Sequence, residues 1–191
     1  CVYKVEAELL NLILAPFSQA DQNTFKQVSK SKHSRHAKSS HSGFDTSIMD
    51  LADDIAYGVH DLEDAIVLGM VTLPMWLNHL EPNLLAANCN TLNDRINTLR
   101  EQLFSGQSHL RKDAIGFLVS HFITSAKVEE KTEFEHPLLK FHVCLPEPEA
   151  KALSALKNFE MKHIILTPEV QMLVYKGQQM LIEKFKETRA C

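Results

Sequence analysis

One stretch of the sequence, SIMDLADDIAYGVHDLEDAI from Ser47 to Ile66, carries six carboxylates and no Lys or Arg. Within it, Asp53, Tyr57 and Asp61 are spaced four residues apart, which places them on one side of a helix. The first carboxylate could complete the ligand shell of a divalent metal whose histidine ligands come from elsewhere. The tyrosine ring offers a surface for a sugar, and the next carboxylate could accept a hydrogen bond from a sugar hydroxyl.

A solvated acidic surface is the plain alternative, because exposed carboxylates are common. Two features of the stretch weigh against it. Surface helices usually place Lys or Arg four residues from an acid, which relieves repulsion worth a few tenths of a kcal/mol per pair, and none occurs here. An aromatic ring set between two carboxylates also has little use on an open surface. The spacing alone does not decide between the two interpretations.

The element that must position these residues is a helix. Ser47, with Asp50 three residues later, forms an acceptable capping box and predicts that the helix begins there. The face that holds Asp53, Tyr57 and Asp61 is almost wholly acidic. At about 100° per residue, six apolar side chains form the opposite stripe, which we predict to be buried. They are Ile48, Leu51, Ile55, Val59, Leu62 and Ile66.

The whole chain has the composition of an ordinary globular protein. Its 191 residues are 45% hydrophobic and 23% charged, which is enough for one domain with a sizeable core. The net charge of −4 predicts neither a nucleic-acid binder nor a membrane-surface protein. No apolar run approaches the roughly 20 residues that span a bilayer, and we find no secretion signal. Four cysteines without regular spacing argue against a zinc ribbon or a disulfide framework, so we expect a cytoplasmic protein with reduced thiols.

The predicted fold class is mainly α, because only six glycines occur and apolar residues recur mostly at three- and four-residue spacing. The polar segment 18–43 is predicted to be a mobile loop or a short helix with a flexible end. Alternation in Leu139, Phe141 and Val143 predicts a small β-hairpin near 132–145. Further helices are predicted over 3–14, near 74–80, and over 88–104, 110–126, 149–162 and 167–187, the last with Thr167 as N-cap.

Other charged residues are weaker candidates for binding. Arg111 and Lys112 lie near the start of a predicted helix, where free backbone N–H groups would also meet a phosphate, although a solvated basic pair is the plainer interpretation. The basic run from Lys26 to Lys38 is a candidate contact for nucleic acid or for the phosphates of an effector nucleotide. It has no interleaved aromatic residues for base stacking, so a disordered surface loop is the plainer interpretation there.

Several histidines and apolar residues are assigned structural roles. We interpret His109 and His121 as packing or surface residues rather than ligands, and His136 has no metal-binding partner at a recognisable spacing. Apolar residues of the last helix are interpreted as core or subunit contacts. They include Met172, Met180, Leu181 and Phe185.

The segment ADDIAYGVHDLEDA, residues 52–65, closely resembles a motif of bacterial deoxyguanosine triphosphate triphosphohydrolases and their dGTPase-like relatives in the HD phosphohydrolase superfamily. Weaker similarity extends through HLRKDAIGFLVSHF and FEHPLLKFHVCLPEPEAKALSALKNF. The resemblance implies that Asp53 is the last ligand of a metal, that Tyr57 packs against the deoxyribose, and that Asp61 accepts a hydrogen bond from the sugar 3′-hydroxyl. It also implies a triphosphate contact as a role for Arg111 and Lys112.

The family's other metal ligands, a His and a His-Asp dipeptide, lie in an N-terminal half that this sequence does not contain. His60-Asp61 is not that dipeptide, because adjacent helical residues point about 100° apart and the motif assigns Asp61 to the sugar. We therefore expect residues 1–191 to be the C-terminal helical portion of a longer protein, inactive alone. The metal, Mg²⁺, Mn²⁺ or a similar ion, would need ligands from outside this chain.

The resemblance implies that the complete enzyme cleaves a deoxynucleoside triphosphate, with dGTP as the first candidate, to the deoxynucleoside and inorganic triphosphate. It also implies a homo-oligomer, with single-stranded DNA or a nucleotide as a candidate effector. Two other classes stay open. One is a non-catalytic nucleotide- or nucleic-acid-sensing protein built on the same helices, and the other is an assembly protein whose acidic face binds a basic partner.

Overall fold

The computed structural model describes residues 6–29 and 38–189. Most of these residues are helical, and two small antiparallel sheets accompany the helices, so the prediction of a mainly α fold with a small hairpin is confirmed. The chain divides into two compact units, one drawn from 1–53 and 126–145 and the other from 54–125 and 146–191. Among the described residues, no helix has the length and apolar character that crossing a membrane requires.

The first unit begins with two short helices. Helix α1 (Ala7–Leu14) ends before Pro16, as predicted, and α2 (Gln19–Phe25) lies in the segment predicted as a loop or a short helix. Ser18 caps α2, because its Oγ accepts a hydrogen bond from the Asp21 N–H at 3.2 Å. Two-residue strands β1 (Val28–Ser29) and β2 (Lys38–Ser39) pair after it. The predicted helix start at Tyr3, and Lys30, Lys32 and Arg35 of the basic run, lie outside the described residues.

The second sheet is the predicted hairpin with shifted boundaries. Strands β3 (Lys127–Glu130) and β4 (Phe141–Cys144) pair antiparallel, with Lys127 opposite Cys144. Helix α8 (Pro137–Lys140) forms part of their connection, so the pairing begins before residue 132. Leu139 lies in α8 and not in a strand, because Pro137 occupies a first-turn position and starts a helical turn that buries Leu139.

A buried carboxylate holds the connection between β3 and α8. Asp21 is 1% exposed, and its two carboxylate oxygens accept hydrogen bonds from the backbone N–H groups of Glu135 and His136, each at 3.0 Å. The His136 Nδ1 in turn accepts from the Leu138 N–H at 3.3 Å and caps α8. His136 therefore has a structural role, which accords with the absence of a metal-binding partner in its sequence surroundings.

Helix α3 (Phe44–Val67) carries the acidic stretch and runs from the first unit into the second. It begins three residues before the predicted start, so the capping-box prediction was wrong. Ser47 is buried inside the first turns, where its hydroxyl donates to the Phe44 carbonyl at 2.6 Å and accepts from the Val143 N–H at 2.9 Å. Ile55, Val59 and Leu62 are buried as predicted, Leu51 and Ile66 are half-buried, and Ile48 is 44% exposed and does not belong to the buried stripe.

The second unit continues α3 and adds most of the remaining helices. After a turn at Gly69, whose φ is 70°, the chain forms α4, a first π-helical turn and α5. Three longer helices follow at positions close to those predicted, and a second π-helical turn separates α9 from α10. The bounds are α4 (Leu73–Met75), π (Trp76–Leu80), α5 (Glu81–Ala86), α6 (Asn90–Leu103), α7 (Ser108–Ser125), α9 (Glu147–Glu160), π (Met161–Ile165) and α10 (Pro168–Arg189).

The core of this unit forms around the sole tryptophan. Trp76 is fully buried, and its indole Nε1 donates a hydrogen bond to the Glu81 carboxylate. Glu81 also receives a hydrogen bond from the Arg100 guanidinium at 2.8 Å, so the buried indole donor and the carboxylate are both paired. Apolar side chains of every longer helix except α10 are buried, among them Leu84, Leu92, Leu99, Leu118, Phe122, Ala152 and Leu156.

Helix α10 differs from its prediction in two respects. Pro168 occupies the first helical position as predicted, but the Thr167 hydroxyl donates to the Ile164 carbonyl at 2.7 Å instead of accepting from the helix. Its apolar side chains are exposed, so they are not core residues of this chain. The exposed residues include Met172 at 59%, Met180 at 65%, Leu181 at 73% and Phe185 at 64%.

The two hydrogen bonds of the Asp21 carboxylate can be tested by an isosteric change. Asp21→Asn keeps one acceptor oxygen but turns an amide donor toward a backbone N–H, so one buried donor loses its partner. We expect the free energy of unfolding to fall by about 1–3 kcal/mol, measured by urea denaturation. Asp50→Asn, an exposed change in the same unit, should alter it by less than about 0.5 kcal/mol. Equal effects of the two changes would contradict this role of Asp21.

Candidate functional site

The predicted site residues follow one another along α3, which is an unbroken helix through all three positions. Asp53 is exposed and is the last residue of the first unit. Tyr57 and Asp61, one and two turns further on, are half-buried residues of the second unit. Their side chains therefore differ in surroundings, and each has to be described within its own unit.

Part of the negative charge on α3 is neutralised by other helices of the second unit. The Lys157 ammonium of α9 forms an ion pair with Asp54, and the Arg111 guanidinium of α7 lies 3.7 Å from the Glu63 carboxylate. The absence of basic residues from the stretch itself is thus compensated by residues distant in the sequence. Within the described part of the chain, no group donates a hydrogen bond to the carboxylates of Asp53 or Asp61. The carboxylates of Asp45, Asp50 and Asp64 have no donor there either, and of these five only that of Asp61 is half-buried.

Close contact between α3 and α9 fixes the half-buried part of the face. A Cβ atom added to Gly58 would lie 3.1 Å from the Leu153 Cδ1 and 3.3 Å from the Lys157 Cγ, so glycine allows this approach without a shift of either side chain. Because Tyr57 precedes Gly58 and Asp61 lies one turn beyond it, both residues stand at the edge of the contact. The approach also brings them close to the end of α9.

Glu160, the last residue of α9, is the functional candidate that the sequence did not reveal. Its side chain is fully buried, and neither carboxylate oxygen has a hydrogen-bond partner among the described residues. Burial first, and the negative charge of Asp61 second, raise the pKa of Glu160 to about 8, although Lys157 lowers it. At neutral pH the group is therefore mostly a protonated carboxyl, which can donate one hydrogen bond and accept others.

The neighbours of Glu160 respond to the same surroundings. Burial raises the pKa of Tyr57, with further contributions from the charges of Glu160 and Asp61, so this phenol stays neutral. Burial and the charge of Asp64 raise the pKa of Asp61, and His60 lowers it. The arrangement is a cluster of two carboxyl groups and one phenol, in which the buried carboxyl of Glu160 keeps its proton near neutral pH.

A signal for Glu160 was present in the sequence. Leu153, Leu156, Glu160 and Ile164 follow one another at spacings of three and four, and the three apolar members are buried. A carboxyl group within an apolar stripe is unusual, because buried acids are rare unless paired. A π-helical turn follows directly at Met161–Ile165, and such turns occur frequently at functional sites.

The two weaker basic candidates have different surroundings. Arg111 is held beside Glu63, and its backbone N–H donates to the Gln107 carbonyl, so it does not offer a free helix N-terminus. Lys112 is exposed and, with His60 and Glu63, borders a groove of about 620 Å³ between α3 and α7. A second groove, of about 630 Å³, lies between α5 and α9 and contains stacked His79 and His163 rings, whose centroids are 4.7 Å apart. No predicted site residue lines that groove.

Two groups of potential metal ligands occur among the residues that the structure describes, and neither includes Asp53. One consists of Cys89, His121 and Glu149, and the other of Glu129, His142 and Cys144. His121 is buried, which fits a packing role, and His109 is exposed, which fits a surface role. Asp53 itself can supply one carboxylate oxygen to a metal, a donor that suits Mg²⁺ or Mn²⁺.

The raised pKa of Glu160 predicts a pH-dependent stability. Because the folded-state pKa of about 8 exceeds the ordinary value of 4.5, the folded protein keeps a proton that the unfolded chain releases within this range. Stability from this group is complete below 4.5 and is lost as the pH rises toward 8, with a slope of up to about 1.4 kcal/mol per pH unit. The Gln side chain of Glu160→Gln does not titrate. The free energy of unfolding of this variant should therefore rise relative to that of the native protein as the pH increases across this range.

Urea denaturation at pH values from 4.5 to 8 measures this difference. Glu147→Gln is the matched control on the same helix, because the Lys151 ammonium lowers the pKa of the exposed Glu147 carboxyl below its usual value. Its difference from the native protein should be flat over the same range. Parallel pH profiles for Glu160→Gln and the native protein would contradict a proton held by Glu160.

Comparison with known proteins accords with the α3 motif. A Shewanella pealeana protein is 43% identical over 185 residues, and a Shewanella loihica protein is 40% identical over 185 residues, each match covering 97% of this chain and 42% of the relative. A Vibrio parahaemolyticus protein is 41% identical over 192 residues, covering 99% of this chain and 44% of the relative.

All three relatives are named deoxyguanosinetriphosphate triphosphohydrolase-like protein. No protein-family model matches the sequence. The chain spans less than half the length of these relatives, so the match concerns a part of them. Identity of 40% or more over nearly every residue is far above the level of chance similarity, and it extends well beyond the α3 motif. This chain belongs to the deoxyguanosinetriphosphate triphosphohydrolase-like family.

Proposed function

We propose that the full-length protein is a metal-dependent deoxynucleoside triphosphate triphosphohydrolase and that this chain supplies its sugar-binding face and one metal ligand. The observation that carries the proposal is the division of the α3 carboxylates into two kinds. Asp54 and Glu63 are paired with Lys157 and Arg111, whereas Asp53 and Asp61 have no donor within the described part of the chain. The exposed carboxylates of Asp45, Asp50 and Asp64 have none there either. Of these five, only Asp61 is half-buried, and it is the carboxylate that the motif assigns to the sugar, while the motif assigns the exposed Asp53 to the metal.

Asp61 would bind the sugar 3′-hydroxyl. Its carboxylate is half-buried and accepts no hydrogen bond among the described residues, and a hydroxyl donor would satisfy it. The Tyr57 ring, one turn earlier on the same face, would pack against the deoxyribose. A ring pressed on C2′ leaves no room for the hydroxyl of a ribose, which explains preference for a deoxynucleotide. The names of the relatives make dGTP the first substrate to test.

Asp53 would serve as one ligand of a divalent metal. Its exposure and lack of a donor fit this role, and the remaining ligands would come from outside this chain. When bound, the metal would polarise the α-phosphate and activate a water molecule for attack on phosphorus. Asp53 would supply its metal ligand from the first unit, and Asp61 would supply its acceptor from the second.

Other proposed contacts follow from the surroundings of each residue. Lys112 is exposed and is the better candidate for a triphosphate oxygen, because Arg111 is already held by Glu63.

A homo-oligomer remains a proposal, for which the exposed apolar residues of α10 offer a surface. A single-stranded DNA or nucleotide effector also remains a proposal, since most of the basic run lies outside the described residues.

The metal-binding role is tested by Asp53→Asn in the full-length protein. The amide is a weaker ligand for a divalent metal, so bound metal should be lost and turnover of dGTP should fall at least about 100-fold. Metal analysis and release of inorganic triphosphate measure the two effects. Asp50→Asn, an exposed carboxylate one turn earlier, is the matched control and should retain both. Full turnover in Asp53→Asn would overturn the assignment.

The sugar-binding role is tested by Asp61→Ala. Loss of a hydrogen bond to a charged acceptor is worth about 1.5–3 kcal/mol, so the dissociation constant for dGTP should rise about 10-fold to 100-fold. Metal content should not change, which separates this variant from Asp53→Asn. Asp64→Ala, an exposed neighbour on α3, should bind dGTP as the native protein does.

The rival classes give different results in the same measurements. A nucleotide sensor built on these helices would show weakened binding in Asp61→Ala but no triphosphate release from the native protein. An assembly protein would show no nucleotide binding, and its association would weaken with added salt.

A further inference from the structure

A second group of potential ligands lies away from α3, where three elements of the second unit meet. Cys89 directly precedes α6, His121 lies in the last turns of α7, and Glu149 lies in the first turn of α9. Cys89 is 2% exposed and His121 is 8% exposed, and Glu149 is half-buried. A thiol, an imidazole and a carboxylate are the three ligand types that zinc takes from proteins.

The distances between the three groups suit a single ion. The Cys89 Sγ lies 3.3 Å from the His121 Nε2 and 3.5 Å from the Glu149 Oε1, and all three ligand atoms lie within 4.8 Å of one another. Two ligands of a tetrahedral zinc ion, one sulfur and one nitrogen or oxygen, stand about 3.5 Å apart when their bond lengths are the usual ones. We propose that Cys89, His121 and Glu149 bind a zinc ion that links α6, α7 and α9.

The Cys89 thiol would have to give up its proton to a bound metal, because burial and the nearby Glu149 raise its pKa, although backbone hydrogen bonds from Leu92 and Thr91 lower it. Among the described residues, no Lys or Arg forms an ion pair with Glu149. A metal ion bound by Glu149 would therefore not have to displace a Lys or Arg side chain of the described residues.

Binding is a ligand exchange with a simple balance. The sulfur, the imidazole nitrogen and the carboxylate oxygen each replace a water molecule of the ion, and the Cys89 thiol releases its proton to solvent as the sulfur–zinc bond forms. Three protein ligands leave one coordination position, which a water molecule can fill. Zinc at this position would stabilise the second unit by joining three helices, in the manner of structural zinc sites.

The other group of potential ligands, Glu129, His142 and Cys144, is a poorer candidate. All three residues are only half-buried or more exposed, and Glu129 already forms an ion pair with Lys127. Its carboxylate also lies 3.9 Å from the His142 Nε2. This group is therefore more exposed than the group at Cys89, and its carboxylate is already paired with a cation.

Cobalt substitution of the full-length protein distinguishes the proposed site from the α3 metal. A thiolate ligand gives Co²⁺ a sulfur-to-metal charge-transfer band in the near ultraviolet, whereas Asp53 and histidine ligands give none. We expect one thiolate-bound Co²⁺ per chain, displaced by Zn²⁺, in both the native protein and Asp53→Asn. Retention in Asp53→Asn makes the proposal independent of the proposed function. The band should be lost in Cys89→Ser and kept in Cys144→Ser.

A second pair of variants covers the case in which Cys89→Ser does not fold. Glu149→Gln should weaken zinc binding at least about 10-fold, while Glu147→Gln, two residues earlier and exposed, should leave it unchanged. Absence of the band from the native protein would overturn the proposal and leave Cys89, His121 and Glu149 as a hydrogen-bonded group. Loss of the band in Cys144→Ser instead of Cys89→Ser would overturn it in favour of the group on β3 and β4.

Discussion

The close approach of α3 and α9 at Gly58 is the constraint on which the candidate site depends. A Cβ atom there would lie 3.1 Å from the Leu153 Cδ1 and 3.3 Å from the Lys157 Cγ, so a larger residue would force these side chains to shift. The contact lets Lys157 reach Asp54 and buries Glu160 beside Asp61. Tyr57 and Asp61 stand at the edge of this contact and are half-buried. Their burial therefore follows from the packing of the two helices and not from the chemical type of either residue.

This packing sorts the acidic residues of α3 by role. A row of like charges on one helix is unfavourable, and the second unit relieves it by bringing cations from α7 and α9 to Asp54 and Glu63. The remaining carboxylates of the helix, Asp53 and Asp61 among them, have no cation paired with them within the described part of the chain. Glu160 adds a buried carboxyl that keeps its proton near neutral pH, partly because of the negative charge of Asp61. The exposed apolar side chains of α10 show that this chain alone does not cover all of its apolar surface.

Features that depend on neighbouring residues could be predicted from the sequence. The spacing of apolar residues predicted the helices, and the contiguous motif indicated Asp53, Tyr57 and Asp61 as candidate site residues. The start of α3 was misplaced because Ser47, a good N-cap residue, uses its hydroxyl inside the helix to accept from the distant Val143 N–H. Glu160 was missed because its burial comes from contact with α3, 100 residues away in the sequence. The Cys89, His121 and Glu149 group was missed for the same reason, since its members come from three separate helices.

The central claim is that a deoxynucleotide binds to the polar face of α3 and is cleaved between its α-phosphorus and the sugar 5′-oxygen. The most direct test is the reaction of the full-length protein with dGTP in ¹⁸O-labelled water, followed by mass spectrometry of the products. Attack of water on the α-phosphorus predicts unlabelled deoxyguanosine together with inorganic triphosphate that carries the label. Formation of dGDP and labelled phosphate, or no hydrolysis at all, would contradict the account.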